Sequence, residues 1–387
     1  MNKRFYFVAR LLLLTTVLLA CNKKNENSAG DKEQQDVKTA LDIAIGDFMS
    51  KYQVPGMSVA VTKGEKLVLA KGYGYADVEA KEEVTAKSRF RLASISKSIT
   101  SVAIMKLVQD GKLKMDDHVF GEGSLLGTSL GANPYNDWIK AITVRQLLTH
   151  TAGGWGNSDN DPMFLHPEMT ARDLIAWTLD NAPLQAEPGT TYNYSNFGYC
   201  ILGRIVEELS GLSYEAYVQT ILLRSFGEST MVVGGNDLAS RKQDEVKYYG
   251  FGENPYNFNL ARMDSHGGWI ASATDLAKFM VHVDGFPQKE DVLNAAQLQV
   301  MITPSGLGGD YACGWAVNNW LAPNKGNWWH NGALPGESSF MLRTSTGLNI
   351  VILANRRADG DYFGDLEKLV WLIASDPGMT WPDVDLF

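Results

Sequence analysis

Ser94-Ile95-Ser96-Lys97 sets a hydroxyl and an amine three residues apart. Side chains at that spacing share one face of a helix, so the Lys97 amine can meet the Ser94 hydroxyl and act as its base. No other serine in the chain has a lysine at the third following position, so the spacing points to a single site. Lysine at its solution pKa of about 10.4 is a poor base, and the chemistry requires burial or a nearby cation to lower that value by several units. A serine at a helix N-terminus also has unpaired backbone N–H groups and the positive end of the dipole beside it, where an oxyanion needs them. Alone, a tetrapeptide of this kind also occurs by chance.

Two further stretches carry candidate groups. In Tyr194-Ser195-Asn196 the phenol can relay a proton, and the carboxamide can hold a substrate carbonyl or the Lys97 amine; taken singly, each also reads as a loop residue. Trp328-Trp329-His330-Asn331-Gly332-Ala333 reads as an edge strand running into glycine. The glycine permits close approach of a ligand to the backbone, and the Ala333 N–H can donate to an oxyanion; the other reading is a strand end without function. His150, at the end of an apolar helix that starts at Thr143, reads as a structural residue rather than a base. Gly127-Thr128-Ser129-Leu130-Gly131 matches the Gly-x-Ser-x-Gly elbow of α/β-hydrolases, but that motif needs a buried strand before it and a helix after it. Here Gly121, Gly123 and Ser124 precede and Asn133-Pro134-Tyr135-Asn136 follows, so the context is loop on both sides and the match is set aside. None of the six histidines sits in a His-Glu-x-x-His pattern and no phosphate loop is present in the sequence, so no metal or other cofactor is expected.

The elements that must position these groups follow from periodicity. Ile95, Ile99, Val102 and Ala103 recur at helical spacing after Ser94, and Asp110-Gly111 supplies the stop, so a buried helix is expected. A helix is expected from Val37 to Tyr52, then strands from Met57 to Thr62 and Leu67 to Tyr75 joined by Lys63-Gly64-Glu65-Lys66. From about residue 100 to 285 helical patterns and long loops dominate, including a helix that runs from the Tyr194 stretch to Leu209 with Gly211 after it. Strand-like runs return at Gly314–Trp320, Trp328–His330, Ser338–Arg343 and Asn349–Leu353, before a helix near Leu366–Ala374. The economical reading is one sheet built from both ends of the chain with a mainly helical region inserted between.

Length and composition fit an enzyme of this kind. The 387 residues are 45% hydrophobic and 20% charged, ample for one large domain or two intimate ones. The formal charge is −9, and the basic start of the chain makes the remainder more negative still, so nucleic acid is not expected as a partner. Residues 1–20 read as a signal peptide: Lys3, Arg4 and Arg10, an apolar run from Leu11 to Ala20, then Cys21. Leu18-Leu19-Ala20-Cys21 resembles the lipobox of bacterial lipoproteins, which implies a lipidated Cys21 and an envelope location facing the periplasm or the outer membrane. A plain secretory signal cut near Ala20 is the alternative. Residues 21–36 read as a disordered tether, 37–375 as the catalytic domain and 376–387 as a tail. Cys200 and Cys313 lie in apolar contexts and read as buried free thiols.

Together these stretches resemble the serine β-lactamase and penicillin-binding-protein superfamily, in its class C β-lactamase-like branch with esterases and D-aminopeptidases. Ser94-x-x-Lys97, Tyr194-Ser195-Asn196 and His330-Asn331-Gly332 carry the resemblance by order and spacing. It implies an α/β fold, an antiparallel sheet flanked by helices with the helical region inserted, and a site in the cleft between the two. It implies Ser94 as nucleophile, Lys97 and Tyr194 as the proton-moving pair, Asn196 as substrate-orienting group, His330 and Gly332 in the substrate wall, and the N–H groups of Ser94 and Ala333 as oxyanion donors. The substrate would be a small-molecule or peptide-like acyl compound, cleaved at an ester or amide through an acyl-serine intermediate. The third motif departs from the Lys-Thr-Gly of many members. An unperturbed histidine is mostly neutral at pH 7, so the cation that meets a substrate carboxylate is missing, which favours an esterase or D-aminopeptidase over a β-lactamase or DD-carboxypeptidase. Arg356 or Arg357 is a candidate for the missing charge, and Trp155, Trp315, Trp328 and Trp329 for a pocket lining. A slow-deacylating sensor on the same fold is the alternative of another class.

Overall fold

Gly64 and Glu65 both take positive φ, 54° and 63°. That pair of left-handed residues makes the tight hairpin turn whose twist matches the flanking strands. It joins β1 (Gly56–Lys63) to β2 (Lys66–Asp77), close to the expected bounds. The remaining strands are β3 (Glu82–Glu83), β4 (Arg89–Arg91), β5 (Val232–Val233), β6 (Trp269–Ser272), β7 (Ala316–Asn318), β8 (Asn327–Leu334), β9 (Glu337–Arg343) and β10 (Leu348–Ala354). They belong to a computed structural model that describes residues 28–158, 161–227, 229–318, 326–377, 379 and 381–387, with side chains from residue 40 onward. Cys21 and the signal-like segment lie outside the described residues, as do residues 319–320 of the strand expected from Gly314.

Seven strands form one antiparallel sheet in the order β3-β2-β1-β10-β9-β8-β7. Its centre is the pairing of β1 with β10, from Met57 opposite Ala354 to Lys63 opposite Leu348, so the two ends of the chain meet in the middle of the sheet. One face is covered by the first helix, Ser28–Tyr52, and the last, Tyr362–Ser375, through Leu41, Ile45, Phe48, Leu366, Val370 and Ile373. The other face packs against the inserted region, whose core includes the helix Ser96–Gln109. Ile95, Ile99, Val102 and Ala103 are all fully buried there. The fold is thus the mixed α/β, antiparallel arrangement that the motifs imply.

Two expectations change. The first helix starts at Ser28 rather than near Val37, so its backbone runs through the second half of the segment read as a disordered tether. That segment is rich in Lys, Glu and Gln, residues that favour helix even without an apolar face. The inserted region is also not only helix and loop, since it contains β5 and β6, which form a three-stranded sheet with β4 just before it. Strands of two to four residues are too short for an alternating pattern to register. Among the described residues no helix is long and apolar enough to cross a membrane.

Candidate active site

The chain reaches Ser94 through a constrained turn. After β4, Leu92 N–H bonds to the Trp269 carbonyl at 2.8 Å, and Ala93 sits at a φ of 42°, in the left-handed region that a non-glycine residue avoids. A 3-10 turn, Ala93–Ile95, then carries Ser94 into the helix, so the Ser94 N–H lies in a first turn that has no preceding helical acceptors. The helix is pinned by its own hydroxyls: Ser98 and Ser101 donate to the carbonyls of Gly314 and Cys313, and Thr100 to that of Ser265, each at 2.6 Å. A polar stripe that composition alone would place in solvent is therefore satisfied inside the core.

Lys97 is fully buried, and its Nζ lies 3.2 Å from Ser94 Oγ, 2.6 Å from Asn196 Oδ1 and 3.0 Å from the His266 carbonyl. Burial brings the amine down to about 7, against the opposing pull of Asp161. The requirement set by the Ser-x-x-Lys spacing, a lysine able to shed its proton near neutrality, is met by desolvation.

The second wall is the start of the helix Asn196–Ser210. Ser195 caps it by accepting from the Gly198 N–H at 2.9 Å, while its own N–H donates to His150 Nδ1 at 3.0 Å. His150 is therefore a buried, neutral anchor for this cap, packed on Tyr194 with ring centroids 4.3 Å apart. The Lys97 Nζ stands 4.8 Å from the Tyr194 ring centroid, and the Tyr194 phenol interacts with Ser94. Burial pushes that phenol well above its ordinary value, so it is a protonated donor at neutral pH. Asn196 extends its amide nitrogen to Asp161 Oδ2 at 2.6 Å.

The third wall is β8. It is not an edge strand as expected, because β7 pairs outside it; but β7 reaches only Asn327 to Trp329, so from His330 onward β8 is open on that side among the described residues. The Asn327 N–H points toward β7, where Asn318 Oδ1 accepts it at 2.8 Å. N–H direction alternates along an antiparallel strand, so Asn331 and Ala333 also point to the open side. Gly332 permits the approach of this strand to the turn that holds Ser94. A Cβ there would lie 2.2 Å from the Leu92 carbonyl oxygen, 2.3 Å from Ser339 Oγ and 3.1 Å from the Ala93 Cβ. His330 is buried, and burial with Lys97 nearby lowers its pKa to about 3. Its Nδ1 faces the Asn331 carbonyl at 2.6 Å, which can only accept, so Nδ1 carries the proton and Nε2 accepts from the Tyr311 hydroxyl at 3.0 Å.

Ser94, Tyr194, Asn196, His330 and Ala333 line one cavity of about 640 Å³. Phe164, Phe258, Met263 and Leu334 form an apolar wall. Arg357, not Arg356, reaches the cavity, and it is paired with Glu253 at 2.5 Å. Of the four tryptophans only Trp329 lines it; Trp155, Trp315 and Trp328 are buried in the core. Cys200 and Cys313 are buried free thiols. Asp161, Tyr311 and His266 escaped the sequence analysis. Asp161-Pro162 carries a helix-start signal, and the structure does place Asp161 as the cap of the turn Pro162–Phe164, but nothing local links it to Asn196. Among the described residues no group of three or more His, Cys, Asp or Glu side chains is placed to hold a metal ion.

Residues 41–375 match the family model described as Beta-lactamase. Protein flp of Staphylococcus aureus strain MRSA252 is 27% identical over 332 residues, covering 84% of this chain and 64% of that protein. The chain thus spans less than two thirds of the length of that relative. The octameric penicillin-binding protein homologue of Pyrococcus abyssi superposes with a TM-score of 0.72 at 26% identity, covering 89% of this chain and 79% of that one. The β-lactamase/D-alanine carboxypeptidase of Pseudomonas syringae superposes with a TM-score of 0.71 at 19% identity, covering 88% of this chain and 99% of that one, and shares the fold.

Proposed function

Because the chain belongs to the beta-lactamase family, whose members are of the serine-hydrolase type, we propose that it cleaves an ester or amide through an acyl intermediate on Ser94. The observation that carries this reading is the buried Lys97 amine, 3.2 Å from Ser94 Oγ and with its pKa brought down to about 7. Neutral Lys97 accepts the Ser94 proton as Oγ attacks the carbonyl carbon. The oxyanion takes hydrogen bonds from the N–H groups of Ser94 and Ala333. Collapse breaks the bond to the leaving group, which receives its proton from Lys97 or through Tyr194, and water then releases the acid from Ser94.

The lining supports a neutral substrate with an apolar group. Among the described residues that line the cavity none is Asp or Glu, so a substrate ammonium has no counter-ion, while Phe164, Phe258, Met263 and Leu334 offer apolar contact. That favours an ester over an amino-terminal amide. A β-lactamase or D-alanine carboxypeptidase activity, as in the name of the Pseudomonas syringae neighbour, is the second reading, and Arg357 is what favours it. His330 argues against it, since a buried neutral imidazole does not replace a permanent cation.

The test is the initial rate on a p-nitrophenyl short-chain ester and on a chromogenic cephalosporin, for the wild type and Ser94→Ala. Ester turnover that vanishes in the variant, with little cephalosporin turnover, is the expected result. Unchanged ester turnover in Ser94→Ala would remove Ser94 as the nucleophile. Efficient cephalosporin turnover would establish the second reading, and a stable mass adduct on Ser94 without turnover would make the protein a sensor.

A further inference from the structure

We infer that Asp161 is a positioning residue of the Ser94 site, holding the Asn196 carboxamide with its oxygen toward Lys97 and supplying the anion opposite the Lys97 amine. The inference rests on the acyl-serine reading, because it concerns the base of that reaction.

Asp161 is buried, with one carboxylate oxygen accepting from the Met163 N–H at 2.9 Å and the other from Asn196 Nδ2 at 2.6 Å. Capping the turn Pro162–Phe164 needs only the first bond. The second acts on a side chain whose two ends have nearly the same shape, so a partner must decide which end faces Lys97. A carboxylate has no donor. It selects the NH₂ end and leaves Asn196 Oδ1 to meet Lys97 Nζ at 2.6 Å.

The consequence is directional. A neutral amine has two N–H bonds and one lone pair. Asn196 Oδ1 and the His266 carbonyl can only accept, so they take both N–H bonds. The lone pair is then left to the third neighbour, the Ser94 hydroxyl at 3.2 Å. Were the carboxamide reversed, its NH₂ would compete for that lone pair and the Ser94 proton would lose its acceptor.

The charge matters as well. The other titratable groups that act on Lys97 or lie against it are Tyr194, Tyr199, His150, His266 and His330, and burial holds all five uncharged near neutral pH. Asp161 is the carboxylate that opposes the effect of burial on Lys97.

The experiment is the pH dependence of covalent labelling of Ser94 by a p-nitrophenyl alkylphosphonate, followed by nitrophenolate release and intact mass, on the full chain. The label forms an Oγ–P bond, expels nitrophenolate and passes the hydroxyl proton to Lys97, so it reports activation of Ser94 without a turnover substrate. Asp161→Asn removes the charge, and Asp161→Ser keeps a cap for Met163 while withdrawing both the charge and the reach to Asn196. In each variant the rising limb is expected to move to lower pH, because losing the anion lowers the Lys97 pKa further, and the plateau rate to fall about 10- to 100-fold. A limb and plateau that match the wild type in a folded variant, with only the melting temperature changed, would make Asp161 a loop cap and overturn the inference. A wild type that takes no label on Ser94 would instead overturn the acyl-serine reading itself.

Discussion

Lys97 and Asn196 meet at 2.6 Å, amine to amide oxygen, inside the core and directly behind Ser94. The contact joins the helix that carries Lys97, entered from the turn that holds Ser94, to the helix that begins beside Tyr194, and so ties two walls of the cleft together. Each partner is buried, and neither could adopt its state alone: the lysine needs acceptors for its N–H groups, and the carboxamide needs a partner at each end.

Lys97→Met is expected to keep the fold and lose turnover by about 10²- to 10⁴-fold, the usual range for a positioned base. Its stability carries a second signature. The Lys97 pKa is lowered from 10.5 to about 7 in the folded chain, so between those values the unfolded chain binds the extra proton and wild-type stability rises with pH. Measured against the wild type, the variant therefore gains as pH falls from about 10.5 to about 7 and gains nothing further below. Denaturant melts of both proteins across pH 6 to 10 check this; a pH-independent difference would mean that Lys97 is not depressed.

His330→Gln tests which group sets the acidic limb of activity. Burial puts the imidazole at about 3 and Lys97 at about 7, so the limb near neutrality belongs to the lysine. The variant is expected to keep that limb in place, with a loss of no more than about tenfold for one altered hydrogen bond to Tyr311. Rate profiles from pH 5 to 9 decide it, and a limb that disappears with His330 would transfer the titration to the histidine.

Gly332→Ala should damage catalysis by geometry rather than by charge. The added Cβ would stand 2.2 Å from the Leu92 carbonyl oxygen, so β8 must move away from the Ser94 turn and take the Ala333 N–H with it. Loss of one oxyanion donor costs about 10²- to 10³-fold in turnover. Overpacking costs about 1 to 3 kcal/mol of stability. Turnover of a p-nitrophenyl ester measured beside a denaturant melt separates the two, and wild-type turnover would show that Ala333 is not a donor.

The sequence by itself determined the pieces that repeat with a local period. The helical recurrence of Ile95, Ile99, Val102 and Ala103 placed Lys97 on a buried helix and Ser94 at its entry, and the strand runs near both termini composed one sheet. Glycines at positive φ marked ends correctly, Gly64 in the first hairpin and Gly211 at 72° after the helix from Asn196. The proximity of Ser94 and Lys97, 3.2 Å between Oγ and Nζ, was legible for that reason, since their relation spans one helical turn.

Tertiary structure alone decided how those pieces act. The Lys97 pKa depends on the walls that exclude water from it, the Asn196 orientation on Asp161, and the His330 tautomer on Tyr311 and the Asn331 carbonyl. The open side of β8 at Ala333 exists because β7 stops at a register that its own residues do not announce, and Arg357 rather than Arg356 reaches the cavity for a similarly remote cause. Local spacing follows from backbone geometry over a few residues. Desolvation, hydrogen-bond direction and strand ends are set by atoms that the chain brings together from far apart, and no short window of sequence contains both partners.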